Sequence, residues 1–258
     1  MSAFSGKTVI LSGAAGGFGR RTAERLHDGG ANLVLSDLAK DPGEAVVGFD
    51  PKRVAYEPGD IAREETGARL VAVALARFGA LDIAINNAGI VHQPVPMHLV
   101  SAADARRVIE VDLLGVFFAM QHQIATMTKR FATSGDAGII VNIASIAGTT
   151  GAPTLSAYAA AKHGVVGLTR TAAAEYARHG VRINAVCPSF ARTNMAIQEI
   201  MQSAKEPSAA EARMVRGVPM RRLAEIDEVV EAILFAASPA NSFMTGETIG
   251  VDGGIGAV

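Results

Sequence analysis

The strand-like runs of this chain, TVILSG, ANLVLSD, RVAYEP, LDIAINNAG, GIIVNIAS, VRINAVCP and ETIGVDGG, are continuously apolar instead of alternating apolar with polar. A strand that is apolar on both sides of its pleat must be covered on both faces. Between these runs the spacing predicts helices over residues 18–28, 63–78, 102–131, 157–179 and 227–237. Buried strands alternating with helices leave one economical architecture, an α/β fold with a doubly wound parallel sheet of about seven strands. Ligands are then expected beyond the C-terminal strand ends.

With 258 residues and 49% hydrophobic composition, the chain reads as a single domain over 1–258. No composition break marks a linker. The long polar connection 189–226 carries Arg192, Arg213, Arg216, Arg221 and Arg222, and a segment of that length is expected to be a substrate lid. A formal net charge of -1 without long like-charge runs gives no reason to expect nucleic acid or an anionic membrane as partner. The start, MSAFSGKTVILSG, leads almost directly into the first strand, so a cytoplasmic protein is expected. One cysteine, Cys187, allows neither an internal disulfide nor a cysteine-clustered metal site, and no metal is expected.

The loop SGAAGGFGR follows the first strand and opens the first helix. Gly13, Gly17 and Gly19 lack side chains there, so backbone can approach a pyrophosphate at the positive end of the helix dipole. Glycines also make tight turns, and the loop alone is a weak signal. Asp37 strengthens it: it ends the second strand, eighteen residues after Gly19, where a carboxylate accepts bonds from a ribose. The same charge repels a ribose phosphate, which favours NAD over NADP. Arg20 is the residue that could weaken this preference.

Tyr158 and Lys162, four apart in SAYAAAKHG, share a helix face. The ammonium favours the tyrosinate form, so Tyr158 is a candidate general acid or base. Ser145 is the candidate group to polarise a carbonyl or orient an alcohol. A surface pair of Tyr and Lys is the plainer reading, but it fits poorly with a glycine loop in the same chain.

Together these residues resemble the short-chain dehydrogenase/reductases, a Rossmann-like family, over essentially the whole length. The resemblance rests on SGAAGGFG at 12–19, Asp60 after the third strand, NNAG at 86–89, Ser145 thirteen residues before Tyr158 in YAAAK, and VDGG at 251–254. It implies an NAD-dependent alcohol dehydrogenase or ketone reductase. By position it implies Phe18 in the cofactor loop, Asp60 and Ile61 at the adenine, and Asn87, Ala88 and Gly89 along the cofactor. It further implies Pro188 and Thr193 near the nicotinamide, and Tyr158 and Lys162 at its ribose.

Ser12 replaces the family's usual Thr, and Pro188-Ser189 its frequent Pro-Gly. The largest departure is Asp112, which stands where the family has a catalytic Asn, amid the apolar stretch VIEVDLLGVFF. A buried carboxylate needs a partner. Two are open: the Lys162 ammonium, or free backbone N–H groups at a helix kink. Two other functions are also open. Lys129 and Arg130 could dock an acidic acyl carrier for a ketoacyl reductase, against which Asp37 argues. A module that senses NAD without turnover is the other, against which the intact Ser145, Tyr158 and Lys162 argue. The helix from Ala157 has small or apolar residues on more than one face, and with the family resemblance this predicts a homotetramer.

Overall fold

The computed structural model describes residues 2–193 and 207–257, and every statement below concerns those residues. β1 (Thr8–Ser12), β2 (Asn32–Ser36), β3 (Val54–Tyr56), β4 (Ile83–Asn86), β5 (Gly138–Ile143), β6 (Val181–Pro188) and β7 (Thr248–Val251) form one sheet. Its order is β3-β2-β1-β4-β5-β6-β7, and every pairing is parallel.

Both faces of the sheet are covered, as the continuous apolar runs require. Val9 and Leu11 of β1 pack with Ala23 and Leu26 of α1 (Gly17–Asp28), and with Val229, Val230 and Ile233 of α7 (Ile226–Ala237). Ile10, between them in sequence, points the other way. It joins Leu70 and Val71 of α2 (Glu64–Phe78), Val116 and Met120 of α4 (Gly115–Ser134), and Val165 and Val166 of α5 (Ser156–Tyr176). The period-two alternation therefore divides apolar side chains between two cores and leaves no polar face.

Two elements differ from the sequence pattern. The expected single helix over 102–131 is α3 (Ala102–Ile109), a wide π turn at Glu110–Leu114, and then α4. The turn carries Asp112, fully buried, whose Oδ1 accepts the Ile90 N–H at 2.8 Å. Within the connection 189–226, expected to be irregular, Pro207–Met214 forms α6. Its stretch SAAEARM is rich in strong helix formers. The stretch 102–134 is long and apolar enough by composition to cross a membrane. Here its Val116, Met120, Ile124 and Met127 are buried in the protein's own core.

One polar network crosses that core. Asn86 Nδ2 donates to Gln123 Oε1 at 3.1 Å and to Asn142 Oδ1 at 2.9 Å, while Gln123 Nε2 donates back to Asn86 Oδ1 at 2.8 Å. Asn142 Nδ2 continues to Thr169 Oγ1 at 2.9 Å. These bonds join the ends of β4 and β5 to α4 and α5, and so fix the sheet edge that carries the cleft. Gln123→Ala strands the Asn86 carbonyl away from water and should cost about 1–3 kcal/mol. Urea unfolding should show a lower midpoint with an unchanged slope.

Candidate active site

β1 and β4 are neighbours in the sheet but not in sequence, and the chain leaves them towards opposite faces. A crevice must open between their C-terminal ends. There a cleft of about 570 Å³ runs from Asp37, Leu38 and Asp60 at one end to Ser145, Leu155 and Phe190 at the other.

The glycine loop forms one wall. α1 starts at the N-cap Gly16, whose position provides no side-chain cap, and no acidic residue lies in its first turn. Its free N–H groups and dipole therefore suit an anion. Gly13 has φ +67° and sits so close to β4 that a Cβ would lie 2.8 Å from Ala88 Cα. Gly19 lies behind the loop, where a Cβ would fall 1.9 Å from the Gly13 carbonyl oxygen. The Ser12 hydroxyl accepts N–H bonds from Asn87 at 3.2 Å and Ala88 at 3.3 Å. Asn87 Nδ2 donates to the carbonyls of Ser12 at 3.1 Å and Gly13 at 3.0 Å. The hydroxyl at position 12 thus ties the glycine loop to NNAG.

At the Asp37 end, the carboxylate accepts N–H bonds from Ala15 at 2.9 Å and Leu38 at 2.7 Å, which fix it beside the loop. Arg20 turns elsewhere: Nε meets Glu24 at 3.0 Å, Nη2 donates to Val47 O at 2.7 Å, and the guanidinium lies over Phe49. Asp60 accepts the Ala62 N–H at 3.0 Å and pairs with Arg107 at 3.2 Å. Arg107 also lines the cleft and carried no signal in the sequence, because only the fold sets α3 against the β3 loop. Leu38 lines it too, an apolar residue directly after the strand-ending Asp37 that the sequence could have offered.

At the other end, Tyr158 and Lys162 project from α5, and Lys162 Nζ lies 5.5 Å from the Tyr158 ring centroid. Lys162 Nζ donates to Ile143 O at 3.1 Å and pairs with Asp112 Oδ2 at 3.2 Å. Burial alone would lower the Lys162 ammonium, but Asp112 and then Tyr158 outweigh it, and the net displacement is upward. Burial pushes the Asp112 carboxyl up, against the pull of Lys162 and the Ile90 N–H. Of the two partners open for Asp112, the structure supplies the Lys162 ammonium, and the backbone N–H it also meets comes from Ile90 in the loop after β4 and not from the helix kink. Ser145 begins a short turn, with Oγ accepting the Ala147 N–H at 3.1 Å and donating to Pro188 O at a long 3.4 Å.

Of the positions selected from sequence, Gly13, Gly17, Phe18, Asp37, Asp60, Ile61, Asn87, Ala88, Gly89, Asp112, Ser145, Tyr158, Lys162, Pro188 and Thr193 all line this cleft. Gly19 instead packs behind it. His92 is buried, its Nδ1 beside Gln93 O, and it is not among the residues that line the cleft. His163 is exposed and turns to Ala159 O, away from the cleft. Cys187 is buried, and burial pushes its thiol up to about 11, which makes it inert at neutral pH. Arg192 pairs with Glu211 and Glu225, and Arg222 with Glu228. Met195, an apolar residue of the connection 189–226, lies outside the described residues.

A family profile described as enoyl-(acyl carrier protein) reductase matches residues 13–256. The chain belongs to the short-chain dehydrogenase/reductase family. It is an oxidoreductase, and its cleft fits a nicotinamide dinucleotide: an uncapped helix start, a side-chain-free loop and a fixed carboxylate lie in the required order. A 2,5-dichloro-2,5-cyclohexadiene-1,4-diol dehydrogenase of Sphingobium indicum is 41% identical over 100% of both chains. A cis-4-hydroxycyclohexanecarboxylate dehydrogenase of Sinomonas cyclohexanicum is 39% identical over 99% of each. The crystal structure of levodione reductase superposes with a TM-score of 0.91, at 34% identity and 99% coverage of both chains.

The close approach at Gly19 yields a direct test. Gly19→Ala should displace the loop from NNAG, lowering the thermal midpoint and weakening dinucleotide binding at least tenfold by fluorescence titration.

Proposed function

We propose that this oxidoreductase interconverts a secondary alcohol and a ketone on a neutral six-membered carbocycle, using NAD. The observation that carries the reading is the composition of the cleft wall around Tyr158. Ile146, Ala152, Leu155, Phe190 and Met214 make it apolar, and Lys162 is the one cation in the described lining of that end. Two relatives act by name on six-membered carbocyclic alcohols, the second on one that carries a carboxylate, and an apolar wall suits the ring that both share. A ring carrying a carboxylate would find no counter-ion among the described residues there.

In the oxidation direction, Tyr158 accepts the proton of the substrate hydroxyl, and the nearby Lys162 ammonium stabilises the tyrosinate that does so. The weak bond from Ser145 to Pro188 O leaves that hydroxyl free to turn and hold the substrate oxygen. A bound nicotinamide would accept the hydride from the carbinol carbon, which is the chemistry the cofactor supplies. Gly13, Gly17 and the start of α1 would hold the pyrophosphate, and Asp60 and Ile61 would border the adenine. Asn87 to Gly89 would run along the cofactor, with Pro188 and Thr193 near its ring. Asp37, already fixed by two backbone N–H groups, meets the ribose hydroxyls and disfavours a phosphate there. From the segment 189–226, Ser189, Phe190, Ala191, Thr193 and Met214 border the cleft.

A panel with NAD should show turnover of cyclohexanol-type substrates exceeding that of 4-hydroxycyclohexanecarboxylate. Tyr158→Phe should keep dinucleotide binding and lose at least ~10²-fold in turnover, the usual scale for a general base. Near-normal turnover in that variant would remove Tyr158 from the chemistry. Asp37→Ala should narrow the preference for NAD over NADP by roughly tenfold, about 1.4 kcal/mol. Unchanged selectivity would place the ribose elsewhere.

A further inference from the structure

We infer that the Asp112 carboxylate cancels the charge of Lys162 inside the cleft, and so sets how alkaline the solution must be before Tyr158 works as a base. Asp112 is thus a positioning residue that acts through Lys162. The inference rests on the reading of Tyr158 as the proton acceptor.

The geometry carries it. Asp112 Oδ2 lies 3.2 Å from Lys162 Nζ, with side-chain exposures of 0% and 4%. Oδ1 is fixed by the Ile90 N–H, and Oδ2 has no hydrogen-bond partner of good geometry, so its charge is directed at the ammonium. The π turn produces this aim, because the widened turn sets residue 112 towards β4 and α5. A Cβ on Gly89 would stand 3.2 Å from both Oδ2 and Nζ, so the pair lies directly against the backbone that borders the cleft.

The Lys162 ammonium therefore faces two anions, one permanent and one that forms only when Tyr158 ionises. In a water-poor interior, the field available to the second is reduced by the first. Among the described residues no other ionised group offsets this. Cys187 on β6 stays a neutral thiol because burial pushes it up, against the charges of Lys162 and Arg170. Arg107 on α3 is tied to Asp60, Glu110 of the π turn is exposed, and His163 on α5 turns outward. From the loop after β4, His92 meets Gln93 O.

Asp112→Asn keeps the shape and an acceptor for the Ile90 N–H while removing the charge. With saturating cofactor, the alkaline-rising limb of kcat for alcohol oxidation should move to lower pH by on the order of one unit. Tyrosinate ultraviolet difference spectra against Tyr158→Phe should show the same displacement without any substrate. Coincident profiles, or displacement to higher pH, would overturn the inference. A displaced tyrosinate titration in a protein that turns over no alcohol would uphold this electrostatic link and reject the proposed reaction. Wild-type protein with isotope-labelled aspartate tests the link even if the variant does not fold. Its infrared carboxylate band should shift as Tyr158 ionises and stay still in Tyr158→Phe, and an unmoved band in the wild type would overturn the proposal.

Discussion

Everything at this site depends on parallel strands covered on both faces. Because β1 to β7 have no polar side, their connecting helices must be shared between two layers, and β1 and β4 send the chain to opposite layers. Backbone therefore parts at one point of the C-terminal edge, and the cleft occupies that gap. Binding and chemistry are grouped there by topology before any side chain contributes.

The gap is made rigid by polar contacts between elements far apart in sequence. Ser12 and Asn87 join the glycine loop to the end of β4, and the Asn86, Gln123, Asn142 and Thr169 network joins β4 and β5 to the helices beneath. Each of these buried groups is satisfied by another, which makes the arrangement costly to disturb. The glycine loop depends on this support. Its approach to Ala88 holds only while the strand end beyond β4 stays in place.

The pair of Asp112 and Lys162, 0% and 3% exposed, lies deeper than Asp82 and Arg182, the other charged side chains buried among the described residues. Removing two charges from water costs several kcal/mol per ion, and their attraction only partly offsets it. The structure lowers that cost with two further bonds, from the Ile90 N–H to Asp112 and from Lys162 to Ile143 O. A pair of this kind is a weak source of stability, so its place beside Tyr158 points to a role in the chemistry.

The sequence alone determined the layer architecture, because period and burial are local properties. Continuous apolar runs allow no other sheet, and SGAAGGFG, NNAG and the spacing of Ser145, Tyr158 and Lys162 mark the cleft residues without coordinates. Tertiary structure decided whatever depends on a contact between distant segments. Helical periodicity over 102–131 gave no sign of the π turn, since the turn exists to satisfy Ile90 and Lys162, neither of which is local. The pairing of Arg107 with Asp60 depends likewise on how α3 docks against the loop after β3. Whether Asp112 met a backbone N–H or an ammonium was open in the sequence for the same reason. A carboxylate's partner is set by the space around it, and that space is built from residues 22 and 50 positions away.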